Sequence, residues 1–207
     1  MNDKKNVLQL SMIIVICLSC LARIPTVAML LAIPYWIIEQ RKNRKSPKQV
    51  ESAPQSLPES FRRYGWLILL PIVSGLTAIF LSKLIVPDFY LHVLERTKPI
   101  LVFDKLPVLI LQLLVLALAE EIAFRGFLQA QISSRIKPAY AIAIASFFFA
   151  IAHYSAGAIN IVLYDLFFIF VDSILYGIIF QKTRNVYACW ISHFLANAAG
   201  VLILLIL

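Results

Sequence analysis

Long apolar segments follow one another along the whole chain, and they constrain the fold more than any other feature. They cover residues 7–38, 64–86, 106–134, 138–153, 160–180 and 185–207. A helix crosses the bilayer core with about 20 predominantly apolar residues. Hydrophobic residues make up 61% of the chain and charged residues 14%, against about 45–50% and about 25% in soluble domains. The pattern predicts an all-α, polytopic transmembrane helix bundle with about six to seven spans, and it excludes a soluble globule, a coiled coil or a disordered chain.

The first apolar segment leaves two structures open. Its 32 residues would form a helix about 48 Å long, which exceeds a bilayer core of roughly 30 Å. Arg23, Pro25 and Pro34 interrupt it, so residues 7–38 form either one kinked, tilted helix or a tight pair of shorter helices. The basic start of the chain resembles a signal peptide, but more apolar sequence follows, so we expect an uncleaved anchor.

The basic residues indicate the orientation in the membrane. Seven Lys or Arg lie in residues 39–63, and four more lie in the loops around residues 135–137 and 182–184, on the same side by parity. Residues 87–105, on the other side, carry three. Since cytoplasmic loops are enriched in Lys and Arg, we expect the first set to be cytoplasmic. Without a basic stripe interleaved with aromatic residues, nucleic acid is not an expected partner.

The predicted organisation has two parts. Residues 1–63 hold the N-terminal membrane anchor and a basic cytoplasmic loop, in which residues 39–60 are expected to be a mobile linker. Residues 64–207 form the membrane-embedded bundle. The three cysteines all lie in apolar stretches, where we expect small buried hydrophobic residues and no disulfide.

Ionisable residues inside the apolar segments are the candidate functional groups, because charge at membrane depth is costly. They are Glu120, Glu121, Arg125, His153, Asp165, Asp172 and His193; the remaining histidine, His92, falls in a predicted loop. By helical rise, Glu120, His153, His193 and Asn197 lie about 13–24 Å from the nearest cytoplasmic charges. We therefore expect three helices to bring polar groups to a similar depth.

Helical spacing sorts these residues. Glu121 and Arg125 are four apart and can form an ion pair, while Glu120 is rotated by about 100° and is left to face a cavity. His193 and Asn197 share one face of a helix by the same spacing. Phe149 precedes His153 by four residues, so its ring can cover one side of the imidazole.

Simpler roles compete with a functional site. A single buried His or Asn often only binds a neighbouring helix, and we expect this role for Asp165 and Asp172, seven residues apart on one helix. Several known chemistries lack their motifs: the chain contains no His-Glu-x-x-His and no Gly-x-Ser-x-Gly. Tyr164-Asp165 has no Gly-x-Gly-Asp partner of an intramembrane aspartyl protease.

Three motifs resemble those of the CPBP intramembrane proteases, the Abi or CAAX-protease family that includes Ras-converting enzyme. Residues 120–126, Glu-Glu-Ile-Ala-Phe-Arg-Gly, are similar to Glu-Glu-x-x-x-Arg. Residues 149–153 are similar to Phe-x-x-x-His, and residues 193–197 to His-x-x-x-Asn. The motifs occur in order on separate predicted helices, so the resemblance places a protease core at about residues 106–200, in the C-terminal half.

The resemblance implies hydrolysis of a peptide bond of a membrane-associated peptide or protein, as in CAAX processing, bacteriocin maturation or peptide-signal processing. Glu120 and His153 would activate a water, and His193 and Asn197 would stabilise the oxyanion. Glu121, Arg125 and Phe149 would support them. We expect a multi-pass protein of a bacterial plasma membrane.

The cofactor and the function keep alternatives. The family is named as metalloproteases, and a metal-free, glutamate-dependent mechanism is also argued for it. Glu120, His153 and His193 could be the three protein ligands of a catalytic zinc. A different class of function is a non-enzymatic membrane immunity or binding protein that uses the polar cluster structurally. A transporter is a third alternative, but no pair of broken helices indicates one.

Overall fold

The computed structural model describes residues 2–45 and 54–206, and within these ranges every regular element is a helix. The elements are α1 (Asn2–Leu21), α2 (Pro25–Lys45), α3 (Leu57–Ile85), α4 (Phe89–Thr97), α5 (Leu106–Glu121), a π-helical segment (Ile122–Gln129), α6 (Ala130–Ser133), α7 (Pro138–Ala152), α8 (Ile159–Thr183) and α9 (Val186–Ile206). The prediction of an all-α bundle is confirmed.

Five stretches of the described chain are long and apolar enough to cross a membrane. They are Asp3–Leu21, Leu57–Ile85, Leu106–Ser133, Ile159–Thr183 and Val186–Ile206. The predicted count of about six to seven spans also included α7, which is apolar but has only 15 residues, and α2, which ends in charged residues; neither is among the five. The protein is an integral membrane protein.

The first apolar segment forms a pair of helices. Arg23 adopts a left-handed backbone conformation, with φ of 63°, which ends α1, and Pro25 begins α2, where its fixed φ suits the first helical turn. The two helices pack side by side in opposite directions. Lys5 donates a hydrogen bond to Glu39 over 2.9 Å, and Gln9 donates one to Tyr35 over 2.6 Å.

Two predicted loops contain helical residues. Residues 39–45 continue α2, and the Ser56 hydroxyl accepts a hydrogen bond from the Glu59 backbone to cap α3, so the prediction of a mobile linker over residues 39–60 is wrong at both ends. Its centre, residues 46–53, lies outside the described residues. The prediction that His92 lies in a loop is also wrong, because His92 is a buried residue of α4.

The N-terminal hairpin packs against the C-terminal half. Met12, Ile16, Cys20, Ala28 and Ala32 share one buried cluster with residues of the π segment and α7, among them Phe124, Phe127, Ala141 and Ala145. Small residues let membrane helices approach closely. At Gly126, a Cβ would lie 2.9 Å from the Trp36 indole, so the absence of a side chain permits this contact between the π segment and α2.

Cross-helix hydrogen bonds place the basic loops at one end of the bundle. Arg125 binds Ser173 and Gln129 binds Gly177. Because the residue numbers increase in the same direction along both segments, the π segment runs parallel to α8. Residues 135 and 184 therefore lie towards the same end. Arg135 also donates to Gln9 near the start of α1 over 3.0 Å. This shared end agrees with the parity count, and its cytoplasmic location stays a prediction.

Candidate active site

Glu120, in the last turn of α5, lies between two histidines from other helices. Its Oε1 is 3.7 Å from Nε2 of His153, at the end of α7, and its Oε2 is 3.6 Å from Nε2 of His193, on α9. The three side chains thus lie together, in agreement with the similar depth that helical rise predicts. Both distances exceed the usual hydrogen-bond length of about 2.7–3.2 Å, so neither histidine makes a direct hydrogen bond to the Glu120 carboxylate.

The neighbouring carboxylate, Glu121, is fully buried and belongs to a connected polar network. It accepts a hydrogen bond from Arg125 Nη1 over 3.1 Å, which confirms the pair predicted from the spacing. The Arg125 Nη2 group donates to the backbone oxygen and the hydroxyl of Ser173, at 2.9 and 2.7 Å. Glu121 Oε1 also lies 2.8 Å from Nδ1 of His193. Sequence reasoning missed this second contact and the contribution of Ser173.

The π-helical segment starts immediately after Glu121. A π-helix closes its hydrogen bonds over five residues, and such segments occur frequently at functional sites. Here it directs Arg125 and Gln129, four residues apart, towards Ser173 and Gly177, which are also four apart on α8. The widened helix therefore ties the segment that carries the two glutamates to α8 at two successive turns.

Aromatic rings enclose the charged groups. The Phe149 ring lies 4.5 Å from the His153 ring, as the spacing predicts, and the Phe149 backbone oxygen accepts a hydrogen bond from His153 Nδ1 over 2.8 Å. Phe149 also lies 4.6 Å from the Arg125 guanidinium. Tyr176 lies 5.2 Å from the same guanidinium. Arginine is attracted to aromatic faces within about 6 Å, so both rings contribute to holding Arg125.

Asn197 follows His193 by one turn of α9 and is half-buried. Its side chain makes no hydrogen bond with any other residue in the described part of the chain. Its expected role at the oxyanion therefore depends on its position beside His193, and it stays a prediction.

Within the described residues, the two aspartates on α8 make no hydrogen bond or ion pair with Glu120, His153 or His193. Asp165 contacts Arg96 at 3.2 Å and His92 at 3.4 Å, both on α4, so it binds a neighbouring helix as expected. Asp172 is half-buried, and its Oδ1 atom has no hydrogen-bond partner among the residues that the structure describes.

Glu120, His153 and His193 are the residues that the sequence offers as ligands of a catalytic metal. Across residues 2–45 and 54–206, no group of three or more His, Cys, Asp or Glu side chains is arranged to hold a metal ion. Glu120, His153 and His193 converge, but they do not form such a group.

The fold and the site together define a class of protein: an integral membrane protein that carries an acidic and imidazole cluster inside its helix bundle. The model of the family described as type II CAAX prenyl endopeptidase Rce1-like matches residues 102–199. That stretch of the chain belongs to this family, which confirms the resemblance seen in the motifs. The match contains every residue of the cluster. No curated protein and no solved structure matches the chain.

The family match has a functional implication. Rce1-like proteins are CAAX-type endopeptidases, so the match implies a protease, that is, a hydrolase of peptide bonds. The match covers helices α5 to α8 and most of α9 and does not include α1 to α4.

Proposed function

We propose that the protein is an intramembrane endopeptidase that cleaves a membrane-associated peptide or protein, with Glu120 as the general base. One observation carries this proposal. The Glu120 carboxylate lies between the Nε2 atoms of His153 and His193, close to both and bonded to neither. Because neither contact is a direct hydrogen bond, a water beside the pair can hydrogen-bond to Glu120 and to a histidine nitrogen, and water is the second reactant in hydrolysis.

His153 suits the role of a neutral acceptor. Its Nδ1 faces a backbone carbonyl, and a carbonyl can only accept, so Nδ1 carries a proton, and in the neutral ring the lone pair of Nε2 then faces Glu120. A water placed there donates one hydrogen bond to Glu120 and one to His153. Its oxygen lone pair is then directed at the substrate carbonyl. Such positioning and proton transfer typically contribute about 10²–10⁴-fold to the rate.

His193 suits the role of an oxyanion donor. Its Nδ1 donates to the Glu121 carboxylate over 2.8 Å, and this contact holds the ring with Nε2 towards Glu120. A proton on Nε2 can donate to an oxyanion. Asn197, one turn further along α9, would supply the second donor through its side-chain amide.

The proposed reaction follows from these roles. Glu120 removes a proton from the water, and the hydroxide oxygen bonds to the carbonyl carbon. The resulting tetrahedral oxyanion accepts hydrogen bonds from His193 and Asn197. When the C–N bond breaks, Glu120 returns its proton to the leaving amine, and the carboxylic acid that forms gives its remaining proton to that amine, so the products are a carboxylate and an ammonium group. Preorganised donors at a developing oxyanion are usually worth a few kcal/mol each.

Glu120→Gln tests the proposal because it keeps the side-chain shape and removes the base. Glu95→Gln, at an exposed position on α4, is the matched control. Purified variants in liposomes are given internally quenched peptides that carry a prenyl chain or an apolar anchor. We expect Glu120→Gln to lower turnover by at least about 10²-fold and still to bind the intact peptide that wild type cleaves. We expect Glu95→Gln to match wild type in turnover.

His153→Ala, His193→Ala and Asn197→Ala extend the same experiment. Loss of one oxyanion donor should cost about 10²–10³-fold in turnover. A folded Glu120→Gln protein with wild-type turnover would eliminate the mechanism. If the folded variants also retained the cellular phenotype, the non-enzymatic immunity or binding protein would be the better explanation.

A further inference from the structure

His193 needs a fixed ring plane as well as a fixed position. Its two ring nitrogens face different carboxylates: Nδ1 lies 2.8 Å from Glu121, and Nε2 lies 3.6 Å from Glu120. An imidazole attached to a helix by two rotatable bonds keeps both directions only if packing restrains its rotation. The Nδ1 hydrogen bond restrains one edge of the ring, and its two faces need a separate contact.

Tyr176 supplies that contact. Its ring is stacked against the His193 ring, with centroids 4.7 Å apart and an angle of 20° between the planes. Phe149 approaches His193 from a different direction, edge-on, with centroids 5.9 Å apart. The Tyr176 side chain is almost completely buried, so helix packing restrains it in turn.

The position of Tyr176 on α8 connects it to the rest of the site. Ser173, which accepts two hydrogen bonds from Arg125, precedes it by three residues, and Gly177, which accepts from Gln129, follows it. Residues three and four apart share a helix face. One face of α8 therefore restrains both Arg125 and His193, and both of these groups contact Glu121.

We infer that Tyr176 is a positioning residue of the proposed hydrolase, which holds the plane of the His193 imidazole through ring stacking. The inference rests on the proposed function. The ring is the active part, because the Tyr176 hydroxyl makes no hydrogen bond with any residue that the structure describes. A phenylalanine should therefore replace the tyrosine, and an aliphatic side chain of similar size should not.

The test compares Tyr176→Phe, Tyr176→Leu and Tyr176→Met on the peptide that wild type cleaves. We expect the Phe variant to keep kcat within about threefold. The Leu and Met variants should lose about 10- to 100-fold in kcat with little change in KM, since small misplacements of a catalytic group can cost about 10²-fold. Tyr164→Leu is the control on the same helix. The Tyr164 hydroxyl donates a hydrogen bond to the Ala78 backbone oxygen, away from His193, so this variant should leave turnover unchanged.

A second readout does not depend on turnover. The chain has three histidines, so protein labelled with ¹⁵N-histidine gives three sets of ring signals, and His193→Gln assigns one of them. We expect the Phe variant to keep the His193 signals. The Leu variant should shift or broaden them through tautomer exchange, with the His92 signals unchanged.

The outcomes separate this inference from the proposed function. If Glu120→Gln is inactive but Tyr176→Leu retains wild-type kcat and His193 signals, only the inference is overturned. If Tyr176→Leu and Tyr176→Met both fail to fold while Tyr176→Phe is normal, Tyr176 is a structural core residue and the inference is also overturned. Wild-type turnover in Glu120→Gln would instead remove the proposed function.

Discussion

Replacing Glu121 by alanine should strongly destabilise the protein, and the structure indicates by how much. Arg125 is 1% exposed, and Glu121 is its carboxylate partner. Without Glu121, the guanidinium keeps its two hydrogen bonds to Ser173 and its contacts with Phe149 and Tyr176, but its charge is uncompensated. Removing one partner of a buried ion pair costs about 3–5 kcal/mol.

The assay is thermal unfolding of purified protein in detergent. At about 2–4 °C per kcal/mol for a chain of this size, Glu121→Ala should lower Tm by roughly 6–20 °C. Glu120→Ala is the informative comparison, because the Glu120 side chain makes no hydrogen bond within the described residues, and we expect the Tm of this variant to stay near that of wild type. Arg125→Met added to Glu121→Ala removes the unpaired charge, so the double variant should lose less stability than the sum of the two single variants.

Two results would refute this reasoning. One is a Glu121→Ala protein that unfolds at the wild-type temperature while Glu120→Ala is strongly destabilised, since the roles of the two glutamates would then be reversed. The other is strict additivity in the double variant, which would mean that Glu121 and Arg125 do not stabilise the protein as a pair.

Two further predictions concern orientation and metal. In a background without the three cysteines, a cysteine at exposed Lys98 should react with an impermeant thiol reagent in intact cells and one at exposed Arg62 should not; the reverse labelling would invert the topology. Because Glu120, His153 and His193 do not form a three-ligand metal group, turnover should survive extensive chelation, measured together with metal content; stoichiometric metal whose removal abolishes turnover and whose return restores it would contradict this.

Local spacing predicted part of the candidate site. The Glu121–Arg125 pair and the contact of Phe149 with His153 connect residues four apart, and such pairs meet on any helix. The ion pair between Glu121 and Arg125 forms even though it spans the start of a π-helical segment. No pattern in the sequence indicated that segment. The hairpin formed by α1 and α2 was one of two alternatives that the sequence left open, and it depends on the turn at Arg23.

The sequence by itself determined the class of protein: the length and order of the apolar segments require a helical membrane bundle, and the three motifs indicate its family. Only the tertiary structure decided that His193 contacts Glu121, that Ser173 receives Arg125, and that Tyr176 stacks on His193. The physical reason is that lipid-facing and bundle-facing residues are both apolar in a membrane helix, so hydrophobic periodicity does not reveal which face turns inward. Contacts between helices depend on that rotation and on the register between helices, which packing of the whole bundle sets.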